Sequence, residues 1–162
     1  MVSRKEIALV LHNIRSAHNV GSLFRTADAA GVSKIVISGY TPAPLDEFKR
    51  TQKDIAKTAL GAEQTVAWEL SRGNITKLLK VLKKEDWWVV GVEQDSRAVD
   101  FKKYKPTKEK YAIILGNEVR GLSKQVRDSC DDLVEIPMRG KKESLNVSVA
   151  GGVVLYGIFG GN

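Results

Sequence analysis

Apolar residues along this chain fall into short continuous runs separated by polar or helical stretches. Glu6 to His12 contains Ile-Ala-Leu-Val-Leu, and Lys34–Ser38, Trp87–Glu93, Tyr111–Leu115 and Asp132–Ile136 repeat the pattern. Unbroken runs of that length predict strands covered on both faces. Between them the period changes. Val20 to Ala30 sets Val20, Leu23, Phe24, Ala27 and Ala30 on one helical face, with Asn19 placed to cap its start and Gly31 to end it. Asn74 caps a second helix through Lys84, with Ile75, Leu78, Leu79 and Leu82 inward and Lys77, Lys80, Lys83 and Lys84 outward. Shorter helices are predicted over Thr51–Gly61 and Ser123–Ser129, a short strand over Thr65–Trp68, and an irregular stretch over Ser96–Lys110. Strands alternating with crossover-length segments define an α/β protein, a mainly parallel sheet flanked by helices, organised as one domain over residues 1–162.

The last run is the unusual one. Pro137 stops a strand, a loop with Arg139, Lys141 and Lys142 follows, and Ser144 stands where a helix cap belongs. From Leu145 to Phe159 no residue is charged, which predicts a helix buried on nearly all sides. Ala150, Gly151, Gly152 and Gly157 lie inside it, at about 1 kcal/mol per glycine relative to alanine, so something must approach this helix closely.

Lys and Arg number 26 against 19 acidic residues, a net charge of +7, which favours a polyanionic partner such as nucleic acid as much as it favours simple solubility. The single cysteine, Cys130, excludes an internal disulfide, and with only His12 and His18 beside it no zinc site of ordinary spacing forms. Met1 to Lys5 lack the apolar run of a leader, and the apolar stretch ending at Phe159 is short for a bilayer span, so an intracellular, soluble protein is expected.

Three polar loops leave strands at the end where open parallel sheets bind ligands: Asn13–Asn19, Gly116–Ser123 and Pro137–Asn146. Each runs into a helix start, where free N–H groups favour anionic oxygens. Neither Gly-x-Gly-x-x-Gly nor a P-loop occurs, so a dinucleotide has no support. On position alone Arg25 reads as a solvated helix arginine, and Asn19 and Ser144 as caps. Asn146, one turn into an apolar helix, needs partners.

Together the three loops resemble the motifs of the SpoU (TrmH-type) RNA 2′-O-ribose methyltransferases of the SPOUT superfamily. The first is Asn13-Ile-Arg-Ser-Ala-His-Asn19-Val-Gly21-Ser-Leu-Phe-Arg25-Thr-Ala, the second Leu115-Gly116-Asn117-Glu118-Val-Arg-Gly121-Leu122-Ser123, and the third Ile136-Pro137-Met138-Arg139-Gly140, continuing to Ser144-Leu145-Asn146-Val147-Ser148. The resemblance implies a C-terminal trefoil knot, which no pattern of apolar residues would have licensed. It implies S-adenosylmethionine as cofactor, held by Val92, Glu93, Leu115, Gly116, Ile136, Met138, Ser144 and Leu145. It implies a cytoplasmic homodimer whose active site draws on both subunits, with Arg25, Asn19, Glu118, Ser144 and Asn146 as catalytic residues and tRNA or rRNA as substrate. No separate RNA-binding extension is expected, so Arg15, Arg139, Lys141 and Lys142 are the expected RNA contacts. A guanidinium stays protonated at ordinary pH, which favours Arg25 as a phosphate anchor and alkoxide stabiliser over a general base. The competing reading is a non-catalytic RNA-binding module that keeps the fold.

Overall fold

The computed structural model describes residues 3–160; Met1 and Val2, part of the stretch read for a leader, lie outside it. The order is β1 (Glu6–His12), α1 (Ala17–Ala30), β2 (Lys34–Ser38), α2 (Lys53–Ala59), α3 (Ala62–Thr65), β3 (Ala67–Ser71), α4 (Ile75–Lys84), β4 (Trp88–Val92), β5 (Val99–Asp100), β6 (Lys110–Leu115), α5 (Lys124–Ser129), β7 (Asp132–Glu135) and α6 (Val147–Phe159). All seven strands join one sheet in the order β3-β2-β1-β6-β4-β7-β5, every pair parallel. Sequence-distant β1 and β6 lie side by side, with Leu9 opposite Ile35 on one flank and Ile113 on the other. Chain direction of travel across the sheet reverses between these two strands, and the loops leaving them diverge.

The unbroken apolar runs have the expected cause. Ile7, Leu9 and Leu11 of β1 and Tyr111, Ile113 and Leu115 of β6 enter a core shared with α1, α2 and α6. Ala8 and Val10 with Ala112 and Ile114 face the opposite way, onto Leu79 and Leu82 of α4 and Val126 of α5. Period-2 alternation therefore survives in space although both faces are apolar in sequence. At the margins, β5 has only two residues and β3 leaves Ala67, Glu69 and Leu70 exposed. A short or half-polar rim strand limits pairing with another chain.

Three expectations need correction. Helix α1 starts at Ala17 and is capped by Ser16, whose hydroxyl accepts the Asn19 N–H; Asn19 lies within the first turn and is free for other partners. Residues Ala62–Thr65 form a helical turn, and the strand begins only at Ala67. Helix α6 starts at Val147, and its cap is Asn146, with Ser144 outside it and exposed.

Nor is α6 buried all round. Val147, Gly151, Val154, Leu155 and Ile158 face the core, whereas Val149 is 50% and Tyr156 54% exposed. With half-buried Gly152 and Val153 these residues make an apolar stripe along the outer side of the helix. The small residues divide in the same way. A Cβ on Gly151 would stand 2.7 Å from Leu23 Cδ2 and 3.0 Å from Leu115 Cδ1, so this glycine lets α6 close on α1 and the sheet. On Gly152 the nearest atom would be Thr26 Cγ2 at an ordinary 3.6 Å, so nothing within this chain demands glycine there.

Gly151→Leu should lower the unfolding free energy by about 1–3 kcal/mol, the usual cost of overpacking, measured by urea denaturation. Combined with Leu23→Ala, the pair should cost less than the sum of the single changes; simple additivity would show that Leu23 is not what Gly151 accommodates.

Candidate functional site

The carboxyl ends of β4, β6 and β7 converge on one cleft, with about 750 Å³ of atom-free space, part of it open to solvent. Its walls come from the ends of β4 and β6, the 116–121 turn, the loop after β7 and the first turn of α6. All eight residues expected to hold a cofactor line it: Val92, Glu93, Leu115, Gly116, Ile136, Met138, Ser144 and Leu145.

The 116–121 turn is built for stiffness. Asn117 and Gly121 pair as an isolated antiparallel bridge, with the Gly121 N–H on the Asn117 carbonyl at 2.8 Å. A Cβ on Gly116 would meet the carbonyl of Gly121 at 2.7 Å, so the two limbs can close only on glycine. The nearly buried Asn117 side chain accepts the N–H groups of Val119 and Arg120 and donates to the Asn13 carbonyl and the Tyr40 hydroxyl. Glu93 braces the turn from β4, one carboxylate oxygen accepting the Leu122 N–H at 2.7 Å. Neither side chain's bracing duty is visible in the sequence, where Glu93 is expected only to hold the cofactor. A polar residue directly after a strand-ending glycine was the available signal for Asn117.

Glu118 then reaches across to the start of α1. Its carboxylate accepts the Arg15 and Ser16 N–H groups at 3.1 and 3.0 Å, and the Asn19 side-chain amide at 3.3 Å. Burial pushes the Glu118 pKa up, but the Ser16 and Arg15 N–H groups lead a set of donors that outweighs it, and the net direction is downward from 4.5. Asn19 passes the order on: its oxygen accepts the Asn146 amide at 3.1 Å. Asn146 in turn caps α6, accepting the Ser148 N–H at 2.9 Å and its hydroxyl at 2.6 Å. Carboxylate, amide, amide and helix N-terminus thus form one chain of bonds in which each amide has a single workable orientation.

Asn19, Glu118 and Asn146 are brought together; Ser144 lines the cleft beside them on the exposed loop. Arg25 is not brought to them. It lies exposed on the outer side of α1, in a second hollow with Ser22, Thr26, Lys57, Thr58 and Tyr156. Arg139, Lys141 and Lys142 stand exposed on the loop after β7, and that loop is tied to the end of β4 where Gln94 donates to the Glu143 carbonyl at 2.6 Å. Arg15 is exposed at the mouth of α1.

His12 and Cys130 stay out of the site. His12 Nδ1 pairs with the Ser38 hydroxyl at 2.9 Å, and burial lowers its pKa. Burial pushes the Cys130 thiol up to about 12, so it remains protonated and inert. Among the described residues no helix is long and apolar enough to cross a membrane.

A parallel α/β domain of this kind is also the fold of solved structures named as RNA methyltransferases and RNA-modifying enzymes. An S-adenosylmethionine-bound rRNA methyltransferase from Sinorhizobium meliloti superposes with a TM-score of 0.83 at 24% identity, over 96% of this chain and 56% of that one. The TrmH/SpoU tRNA modifying enzyme of A. aeolicus gives 0.78 at 27%, over 96% and 74%. The model of the SpoU rRNA Methylase family matches residues 6–156, and the chain belongs to that family. A 23S rRNA (guanosine-2′-O-)-methyltransferase RlmB from Ralstonia nicotianae is 38% identical over 154 residues, 93% of this chain. Its counterpart from Bordetella pertussis is 37% identical over 150 residues. This chain spans 57% and 58% of the lengths of those two relatives.

Glu118→Gln should lose stability at neutral pH. A depressed carboxylate pKa contributes stability that is fully present above the unfolded value and lost as pH falls through the folded one. The gap between wild type and variant, read by urea denaturation, should therefore shrink below about pH 4.5 and close with further acidification. At α6, Asn146→Ala should cost about 0.5–2 kcal/mol as a lost cap, while Ser144→Ala should stay within about 0.5 kcal/mol. The reverse order would restore Ser144 as the cap.

Proposed function

We propose that this chain is an S-adenosylmethionine-dependent RNA methyltransferase that places a methyl group on a ribose 2′-hydroxyl. The observation that carries the reading is the Glu118–Asn19–Asn146 chain of bonds at the lip of a cleft lined by the eight expected cofactor residues. The relatives named as 23S rRNA methyltransferases favour ribosomal RNA over tRNA, and such a substrate puts the protein in the cytoplasm.

The cleft fits the cofactor by its donor set. Leu115, Ile136, Met138 and Leu145 offer apolar surface for a purine and the carbon chain beside a sulfonium, and the tight 116–121 turn sets backbone polar groups against them. The bound sulfonium supplies an already activated methyl group. What remains for the protein is positioning and charge stabilisation. Glu118 has both carboxylate oxygens occupied by N–H donors, so it orients Asn19 instead of accepting the ribose proton. Asn19 and Asn146, joined to each other, hold the lip of the cleft where the ribose would enter.

Arg25 completes the site from a second copy of the chain. Within one chain it stands in a different hollow from the cleft, on the same outer side as the apolar stripe Val149–Val153–Tyr156. An isologous contact through α1 and α6 would cover that stripe and carry Arg25 toward the partner's cleft. There its fixed charge would anchor a phosphate and stabilise the ribose oxygen as its proton passes to solvent water at the open side of the cleft. Arg15, Arg139, Lys141 and Lys142 serve as phosphate contacts around the mouth. The chain acts as a single catalytic domain, and its C-terminal segment passes through a loop to form the trefoil knot that the family resemblance implies.

Incubation with methyl-labelled S-adenosylmethionine and separated rRNA and tRNA, followed by nucleoside analysis, should yield a labelled 2′-O-methyl nucleoside from rRNA. Cofactor and RNA binding without any labelled nucleoside would establish a non-catalytic module. Arg25→Lys should lower kcat roughly 100-fold with cofactor affinity unchanged. Mixing Arg25→Lys with Asn146→Ala protein should restore activity through hybrid dimers; no recovery would place both residues in the same chain's site. Gly152→Leu should yield folded monomers in sedimentation.

A further inference from the structure

The loop between β2 and α2 lines neither the cleft nor the hollow around Arg25, yet it is bonded like a structural turn. Asp46 accepts the N–H groups of Phe48 and Arg50 at 2.8 and 2.9 Å, and the Arg50 Nε at 2.8 Å. The backbone closes beneath, with the Asp46 N–H on the Arg50 carbonyl and a bridge between Leu45 and Thr51. Lys49 adopts a φ of 60° to complete the turn.

What this framework holds out is an aromatic ring in water. Phe48 is 68% exposed, and the Arg50 guanidinium lies 5.0 Å from the centroid of its ring. Keeping a phenylalanine in solvent forgoes about 1.5–3 kcal/mol of burial, and the bonded turn beneath it holds the ring outward all the same. The root of the loop is anchored to the site. Tyr40, 56% exposed, donates its N–H to Asn13 and accepts the Asn117 amide on its hydroxyl at 3.0 Å. Arg72 clamps the carbonyls of Gly39 and Thr41.

We infer that this loop is a stacking platform for unpaired nucleobases of the RNA strand that enters the cleft, with Phe48 and Arg50 as its outer contact and Tyr40 as its inner one. The inference rests on the proposed RNA substrate and adds a contact that the basic rim of the cleft does not supply. Bases present a π face whatever their identity, and aromatic rings paired with guanidinium groups are the side chains that take them. The Arg50 guanidinium beside the ring and the tie from Tyr40 to Asn117 in the wall of the cleft both favour the strand that enters the cleft over a second protein copy.

The test is binding, read by anisotropy of a fluorescein-labelled, unstructured oligoribonucleotide, and therefore independent of whether methyl transfer occurs. Phe48→Ala should weaken binding about 5- to 100-fold, Phe48→Trp should retain it, and Phe48→Leu should fall near the alanine variant. An oligonucleotide with abasic sites should bind wild type weakly and be indifferent to Phe48→Ala. Cofactor affinity should not change. Equal RNA affinity of wild type and Phe48→Ala overturns the inference, as does leucine substituting fully for phenylalanine. A change in oligomeric state with RNA affinity intact would also overturn it, assigning the loop to protein contact. Wild type that shows the Phe48 dependence but transfers no methyl keeps the platform and removes only the catalytic reading.

Discussion

Glu118 sits where the start of α1 has N–H groups to spare, and most of the site follows from that meeting. The β1 and β6 ends diverge at the point where the sheet changes direction, so nothing in the backbone ladder holds their loops together beyond the last strand residues. A carboxylate spanning the gap supplies the missing connection, and it uses donors that any helix N-terminus leaves unpaired. The same carboxylate turns the Asn19 amide, and Asn19 turns Asn146. Because Asn146 is also the cap of α6, the geometry of the cleft and the start of the C-terminal helix are set by one chain of bonds. Removing its charge would loosen two helix starts at once.

Stiffness around that chain is supplied by polar side chains spent on backbone. Asn117 uses four bonds to close its own turn and to hold Asn13 and Tyr40, and Glu93 holds the far limb of the turn. Neither keeps its polar group free for a substrate. They make the walls of the cleft reproducible, so that the backbone groups along it are already oriented when a ligand arrives.

Much of the fold was legible because hydrophobic period and local capping agree. The bounds of β1, β2 and α4 coincide with the runs and cap residues that announce them. The errors have physical causes. Asn19 and Ser144 both carry cap chemistry, but Ser16 and Asn146 occupy the cap geometry, and composition cannot decide between neighbours that are each competent. Trp68 was placed in a strand correctly, yet the residues before it close a helical turn first, because a glycine stop at Gly61 permits a new turn as well as a strand. The cleft residues were found through motif resemblance and not through chemistry. Val92, Leu115 and Ile136 are ordinary strand residues, and only the sheet topology brings their ends together.

The C-terminal helix carries the remaining argument. Fifteen residues without charge imply burial, and one chain buries only part of them. Gly151 is explained inside the chain by Leu23 and Leu115; Gly152, Val149 and Tyr156 are not. A helix face that is apolar, small at its centre and bordered by Arg25 on the adjoining helix has the composition of a core cut in half. Read with the cleft, that face resolves an otherwise awkward fact: the chain holds every residue of the expected site, but Arg25 points away from the rest. Covalent connectivity cannot bring it round, because α1 is locked against the sheet by Leu23, Phe24 and Ala27. Association with another copy can. In the proposed dimer the requirement for a close helix contact and the requirement for a cation at the cleft would become one requirement, met by the same surface.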